Sequence, residues 1–448
     1  MTDMENTVIA QSSAKGQGAI AVVRMSGENA VKIFTQAVKA DGIRHSCMKR
    51  YSIFDKNGEV IDDVTAVVFF APKSFTGEDV AEIFCHGSQI CVERIIKRFS
   101  ELGAKIAGRG EFTKRAFLNG KINLHKAEAI NAVISAKDYY SHKNAMAQYM
   151  GRGVAFFDEI RKELQNISVA LESEIEFSET DELNTDFSEF DRILTDIRHK
   201  LSLEKQKYAQ IQKIANGIPT VLLGRTNAGK SSIFNRILNE DRAIVNEKAG
   251  TTRDVIAETV NLNDAVIRLF DTAGLNESDD EIENEGIKRT KQEIGKAFAA
   301  IWVISPDDAS YENDCELIKN IPALIAVLNK SDLGENCNQA DFLKKNGIKY
   351  INFSAAKNRD AKEICDLLLS EIEEKFPEKT FDTVLTGKRE EEIVERLIEI
   401  IGRTDFCVGI EIAAQQIREA IKVFDEIYGF MAADEIMNKI FDSFCIGK

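Results

Sequence analysis

The apolar run Thr220-Val221-Leu222-Leu223 leads without a break into Gly224-Arg225-Thr226-Asn227-Ala228-Gly229-Lys230-Ser231, and then into the helix-forming run SSIFNRIL. This strand, GxxxxGK[ST] loop and helix is the pattern that cradles nucleotide phosphates, and it demands an α/β layer around it. Glycines let backbone N–H groups converge on the phosphates, and the helix N-terminus adds its positive dipole end. Lys230 is placed to reach the β and γ oxygens and Ser231 to ligate Mg²⁺, while Ser232 completes the GTP-binding loop. Around the loop, from Asn216 to about Pro377, short apolar strands alternate with helices, as in a mostly parallel sheet.

Three further pieces follow in order. Asp271-Thr272-Ala273-Gly274 ends the run AVIRLFDTAG, which sets a carboxylate near the metal and a Gly274 N–H near the γ-phosphate. Asn329-Lys330-Ser331-Asp332 follows ALIAVLNKSD. Asp332 can accept from both the N1–H and the 2-amino group of guanine, whereas adenine offers neither donor there, so GTP is the expected nucleotide. Ser354-Ala355-Ala356, after YINF, is expected to complete the base pocket through backbone contacts.

Gly250-Thr251-Thr252-Arg253-Asp254 reads as a first switch, with Thr252 as the Mg²⁺ ligand released on hydrolysis. Catalysis is then short of a part. Leu275 stands where related enzymes place a glutamine that orients the attacking water, and an apolar side chain cannot do so. An arginine finger is worth about 10³ to 10⁵ in rate, and some other group must supply that charge. Arg253 is one option, although an arginine in such a loop is more commonly a solvated surface charge.

On either side of this segment the texture changes. From Val8 to about Ile106, runs such as AIAVVRM and VTAVVFF with a helical stretch from Ile90 to Phe99 read as a small α+β domain. After Gly110 apolar residues fall at helical spacing, through Phe157, Ile160, Leu164, Ile167, Leu171 and Ile175, then Ile193, Ile197, Leu201, Tyr208 and Ile211. An acidic loop, FSETDELNTDFSE, separates the two stripes, and the same texture returns from about Glu390 to Phe444. Two amphipathic halves each need a partner, so the reading is one discontinuous helical domain with an α/β insertion. The expected domains are 1–119, 120–215, 216–378 and 379–448.

Composition limits the partners. A formal charge of −15 disfavours tight RNA binding by this chain alone, because counterion release from phosphates needs Lys and Arg. Eight cysteines without a CxxC pair are expected to be reduced, mostly buried thiols with no metal cluster. The N-terminus lacks signal-peptide features and no apolar run is long enough for a membrane span, so a cytoplasmic location is expected.

The stretches VVRMSG, SFTGEDVAEIFCHG, GRGEFTKRAFLNGKINLHKAEA, GRTNAGKSS, AGTTRDV, DTAGL and the terminal FCIGK together resemble the MnmE (TrmE) family of tRNA-modification GTPases over essentially the whole chain. That resemblance implies a homodimeric GTPase in which K⁺ replaces the finger, held by Asn227 and by a loop carrying Asn246, Lys248 and Thr251; Asn246 departs from the Thr or Ser of the pattern. It places the water-orienting glutamate at Glu283, with Glu281 and Glu285 as the alternatives. It makes the N-terminal α+β domain a dimerisation and tetrahydrofolate-binding module, with Arg24, Glu82, Lys121 and the C-terminal Lys448 at a methylene- or formyl-tetrahydrofolate. It also implies an FAD- and NADH-dependent partner, MnmG, which holds most of the tRNA while an aminomethyl-type group is built at C5 of the wobble uridine. His86, beside Cys85, is expected to be structural.

Within that frame Cys445 of SFCIGK is a candidate nucleophile or general acid/base in one-carbon transfer, favoured by nearby cations such as Lys448. The bland alternative is an apolar cysteine ending the Ile436, Ile440 and Phe444 helix face. Two other functions have their own signatures: a GTP-gated assembly factor carries a basic KH-like domain with a GxxG loop, and a folate-dependent methyltransferase needs its own basic tRNA surface.

Overall fold

Apolar and polar residues alternate along the N-terminal strands, and the alternation sorts them onto two faces of one sheet. In the computed structural model, β1 (Val8–Gln11), β2 (Ile20–Ser26), α1 (Ala30–Val38), β3 (Lys49–Phe54), β4 (Val60–Phe69), β5 (Val80–His86), α2 (Gln89–Glu101), β6 (Lys105–Ile106) and α3 (Glu111–Leu118) follow in order. The sheet order is β3-β4-β5-β2-β1-β6, antiparallel except for the parallel β1/β6 pair. Ala21, Val23 and Met25 are buried against Ile33, Phe34, Ile95 and Phe99 of α1 and α2. The period of two then turns Arg24 to the other face, in register with Glu82 on β5.

Residues described by the structure are 6–136, 138–177, 187–215, 217–225, 227–238, 257–262, 265–271, 295, 297–308, 311–314, 318, 320–334, 337–358, 360–375, 382–429 and 434–448. The chain forms two compact units: Met1–Asn131, Gly151–Leu194 and Thr386–Lys448 in the first, Ala132–Met150 and Thr195–Leu385 in the second. No helix among the described residues is long and apolar enough to cross a membrane.

Helices continue the chain as α4 (Leu124–Ser135), α5 (Tyr139–Tyr149), α6 (Arg152–Phe177) and α7 (Ser188–Ala215). Next come β7 (Ile218–Leu223), α8 (Lys230–Leu238), β8 (Ala257–Leu262), β9 (Ala265–Asp271), β10 (Ala299–Ile304), β11 (Ala323–Leu328), α9 (Cys337–Lys345), β12 (Lys349–Asn352) and α10 (Lys362–Lys375). The second sheet has the order β12-β11-β10-β7-β9-β8, parallel apart from β8. Its central strand β10, AAIWVI, is buried along its whole length, as a parallel strand covered on both faces must be. Helices α11 (Lys388–Arg403), α12 (Ile410–Tyr428) and α13 (Asp434–Asp442) close the chain.

In the first unit, residues from before and after the intervening segment share one core. Phe157 of α6 meets Phe424 of α12 edge to face with ring centroids 6.2 Å apart. Ile160, Leu164, Ile417 and Ile427 are buried with them, each contributing about 1.5–3 kcal/mol by burial. A fully buried ion pair ties α4 to α11: His125 Nδ1 lies 2.7 Å from Glu390 Oε1, and both side chains are solvent-inaccessible. Arg389 grips Glu128 with two hydrogen bonds of 2.9 and 2.6 Å. Burial opposes both charges of the His125–Glu390 pair, yet the opposite partner prevails, raising His125 and lowering Glu390 to about 2.

Among the six cysteines whose burial the structure describes, fewer are buried than composition suggested. Cys85 and Cys365 are buried, Cys47 and Cys91 half-buried, and Cys407 and Cys445 exposed.

Candidate functional site

β7 delivers the chain to Gly224, whose φ of +138° belongs to glycine; an added Cβ would sit 2.2 Å from the Val303 carbonyl oxygen. Asn227 also has positive φ, at 63°, and is exposed. Lys230 begins α8, nearly buried, and its Nζ donates to the carbonyls of Gly224 at 2.8 Å and Arg225 at 3.0 Å. Ser231 and Ser232 follow, exposed, in the first turn. The backbone of Asp271 closes β9 and pairs in register with Leu222, two residues before Gly224.

One buried side chain joins three of the sequence motifs. Asn329 Nδ2 donates to the Ala228 carbonyl at 2.8 Å, while its Oδ1 accepts from the Ala355 N–H at 3.1 Å. Asp332 accepts from Ser354 Oγ at 2.6 Å, and that hydrogen bond is the main reason its carboxyl lies below the ordinary range. Lys330 holds a left-handed backbone between them, φ 57°. The Ser354-Ala355-Ala356 loop therefore meets the Asn329–Asp332 motif through the Ser354 side chain and the Ala355 N–H. Asn246, Lys248, Thr251, Thr252, Arg253, Thr272, Ala273, Gly274, Leu275, Glu281, Glu283 and Glu285 lie outside the described residues.

A second cluster of charge forms in the first unit. Arg24 pairs with Glu82, Nη2 to Oε1 at 2.8 Å, and its guanidinium lies 5.7 Å from the Phe75 ring and 5.6 Å from the Phe112 ring. The end of the chain docks here. The N–H groups of Gly110 and Phe112 donate to the Cys445 and Lys448 oxygens at 3.3 and 2.9 Å, and Ser12 Oγ donates to the Gly447 oxygen at 2.9 Å. Ile446 forms an antiparallel bridge with Arg109. Gly447 has φ 93°, and a Cβ there would meet the Gln11 carbonyl at 2.1 Å, so only glycine lets the tail lie this close.

The Lys448 amine is lowered by burial and then by the nearby Arg24 cation. Two cations close together at a half-buried place favour an anion. Cys445 is exposed, while Phe444 before it is buried, so the core run that begins on α13 with Met437 and Phe441 ends at Phe444, just past the helix, and Cys445 lies outside it. Lys121 is exposed and donates to the Pro72 carbonyl at 2.8 Å, on the loop that carries Phe75. The structure thus gathers Arg24, Glu82 and Lys448, and ties Lys121, just after α3, to the loop that carries Phe75. His86 is exposed and bonded to Asp62.

Residues 7–121 match the family profile described as "GTP-binding protein TrmE N-terminus", and residues 124–445 match "MnmE helical domain". A protein of Thermotoga sp. strain RQ2 named tRNA modification GTPase MnmE is 35% identical over 456 residues, covering 99% of this chain and all of that relative. The chain belongs to the MnmE family. Its relative of the same name from Cytophaga hutchinsonii is 36% identical over 467 residues, covering 100% of this chain and 99% of the other. Among solved structures, Era in complex with MgGDPNP and 16S ribosomal RNA nucleotides matches 34% of this chain and 55% of its own, at 27% identity and TM-score 0.28.

Several parts of these sites had no signal in the sequence. Phe75 and Phe112, which flank Arg24, look like core aromatics, and Ser12, which receives the tail, looks like a loop serine. Only the resemblance could have pointed to them, because the contact between Ser12 and Gly447 spans 435 positions.

Proposed function

We propose that this chain is a GTP hydrolase of tRNA modification, acting as a homodimer with the FAD- and NADH-dependent partner MnmG, at C5 of the wobble uridine of certain tRNAs. The observation that carries this reading is the docking of the Cys445–Lys448 tail through Gly110, Phe112 and Ser12, which sets the Lys448 amine near the Arg24 cation of the Arg24–Glu82 pair and leaves the Cys445 thiol exposed.

Those residues fit a tetrahydrofolate. Glu82 offers acceptors to a pterin edge, the exposed Phe75 offers a ring face, and Arg24, backed from within by the buried Phe112, offers with Lys448 positive charge to the carboxylates of the glutamate tail. When bound, a methylene- or formyl-tetrahydrofolate supplies the one-carbon unit. Arg24 and Glu82 orient it, Lys121 steadies the loop that carries Phe75, and Cys445 acts as nucleophile or as the group that holds or moves a proton.

At the phosphate loop, Asp332 selects guanine, held ready by Ser354 and backed by Asn329. Lys230 moves from its loop carbonyls to the β and γ oxygens, and Ser231 with Thr252 holds Mg²⁺. Asn227, with Asn246, Lys248 and Thr251, holds a K⁺ that supplies the charge of the missing finger. Glu283 orients the attacking water that Leu275 cannot. Hydrolysis drives opening and closing rather than the carbon chemistry.

GTP turnover compared in K⁺ and in Na⁺ at equal ionic strength tests the cation. Stimulation by K⁺ of at least about 10³-fold, the lower end for an arginine finger, is expected. Equal rates would remove the cation and Asn227's part in it.

A further inference from the structure

Away from both sites, the N-terminal sheet collects two thiols and a carboxylate at one place. Asp62 on β4, Cys85 at the end of β5 and Cys91 in the first turn of α2 each direct a ligand atom inward, and these atoms lie within 4.8 Å of one another. Asp62 is the hub. Its Oδ2 accepts from Cys91 Sγ at 3.2 Å and from the His86 N–H at 2.9 Å, and its Oδ1 lies 2.6 Å from His86 Nδ1. Cys85 is buried, with Sγ 3.5 Å from the Ala21 carbonyl. Burial pushes the Cys85 thiol up to about 11 and the Cys91 thiol up to about 12, so without a cation both stay protonated.

We propose that Asp62, Cys85 and Cys91 bind a zinc ion, with solvent at the fourth position and His86 bracing Asp62 from outside. Zinc bonds of about 2.3 Å to sulfur and about 2.0–2.2 Å to oxygen put tetrahedral ligand atoms roughly 3.3–3.8 Å apart. The three atoms need to close by about 1 Å or less, within reach of side-chain rotation on a fixed backbone. Two sulfurs and one carboxylate suit Zn²⁺ and reject Mg²⁺ and Ca²⁺, which take oxygen ligands. His86 makes the contact that an outer partner of a metal-binding carboxylate makes, fixing its orientation. Residue spacing carries no signal for this site, because the ligands come from two strands and a helix, not from a CxxC pair.

The test is anaerobic titration of the full-length, nucleotide-free, reduced and metal-stripped protein with Co²⁺. Thiolate ligation gives a near-ultraviolet charge-transfer band, which oxygen ligands at the phosphate loop cannot produce. The band should saturate at one equivalent and be abolished by one equivalent of Zn²⁺. Cys91→Ser should remove it, Cys407→Ser should leave it, and His86→Ala should weaken zinc binding about 10- to 100-fold in competition with a chromophoric chelator. Circular dichroism checks that Cys91→Ser is folded; if it is not, Asp62→Asn is read in the same way. The site is overturned by no band in the wild type, by a band that survives both Cys91→Ser and Asp62→Asn, by a band lost with Cys445→Ser, or by a Cys85–Cys91 disulfide whose reduction restores no metal uptake.

Discussion

The phosphate loop and the tail pocket are both suited to negatively charged ligands, but they are made from opposite kinds of chain. The loop is local: Gly224 to Ser232 supplies the backbone donors, the lysine and the helix N-terminus in one stretch, with Asn329 as its brace. The pocket is dispersed. Arg24, Phe75, Glu82, Phe112 and Lys448 come from five places in the chain, and nothing brings them together except the sheet register and the docked tail. A local device needs only its own turn and helix to form. A dispersed one inherits the stability of everything that holds its pieces in place, so damage far from the pocket should reach it.

The largest expected effect tests that inheritance. Glu390→Gln leaves His125 buried without its hydrogen-bonded counter-charge and should destabilise the first unit by about 3–5 kcal/mol, read by urea unfolding followed by circular dichroism. The pH dependence has a definite sign. Because His125 is raised, its contribution is complete below its unfolded value of about 6.5 and is lost as pH rises through the folded one. Because Glu390 is lowered to about 2, its contribution is complete above its unfolded value and is lost as pH falls toward 2. The gap between wild type and variant should therefore be widest between about pH 4.5 and 6.5. A gap that is flat with pH would show that packing, not charge, ties α4 to α11.

Lys230→Ala comes next. Removing one charged donor from a preorganised phosphate site should slow GTP hydrolysis by about 10²- to 10³-fold, measured as phosphate release. Folate binding by the same variant should be unchanged, and a parallel loss there would break the distinction between the two regions. Arg24→Ala is the smallest of the three. It should weaken tetrahydrofolate binding by about 10-fold or somewhat more in calorimetry, because one charge-assisted contact is lost while Lys448 keeps part of the positive charge.

The same contrast explains what could be read in advance. The parallel sheet, the phosphate loop and the Asn329–Asp332 motif that braces it are written in contiguous residues with period and spacing, so elementary patterns reach them. The helical stripes were legible for the same reason, from Phe157 to Leu171 and from Val394 to Phe424, all of which are buried or packed. The join between the two halves was inferable only as a need for partners; the ion pair that makes it, His125 with Glu390, spans 265 positions and has no local signature. Arg24 and Glu82 were ordinary strand charges until the register paired them, and the thiols at Asp62 were scattered cysteines until the sheet and α2 brought them together. Sequence spacing encodes turns and faces, whereas a site assembled by register and docking needs the fold itself.

The most direct test of the account is the mass of the wobble-uridine nucleosides in tRNA from cells whose only copy of this chain carries Cys445→Ser, with unfolding curves used to confirm that the variant is folded. The tail docks through its backbone oxygens and Gly447, none of which the substitution touches. Unmodified uridine at the wobble position is the outcome this account requires; a full complement of modified uridine would mean that the exposed sulfur takes no part in the chemistry.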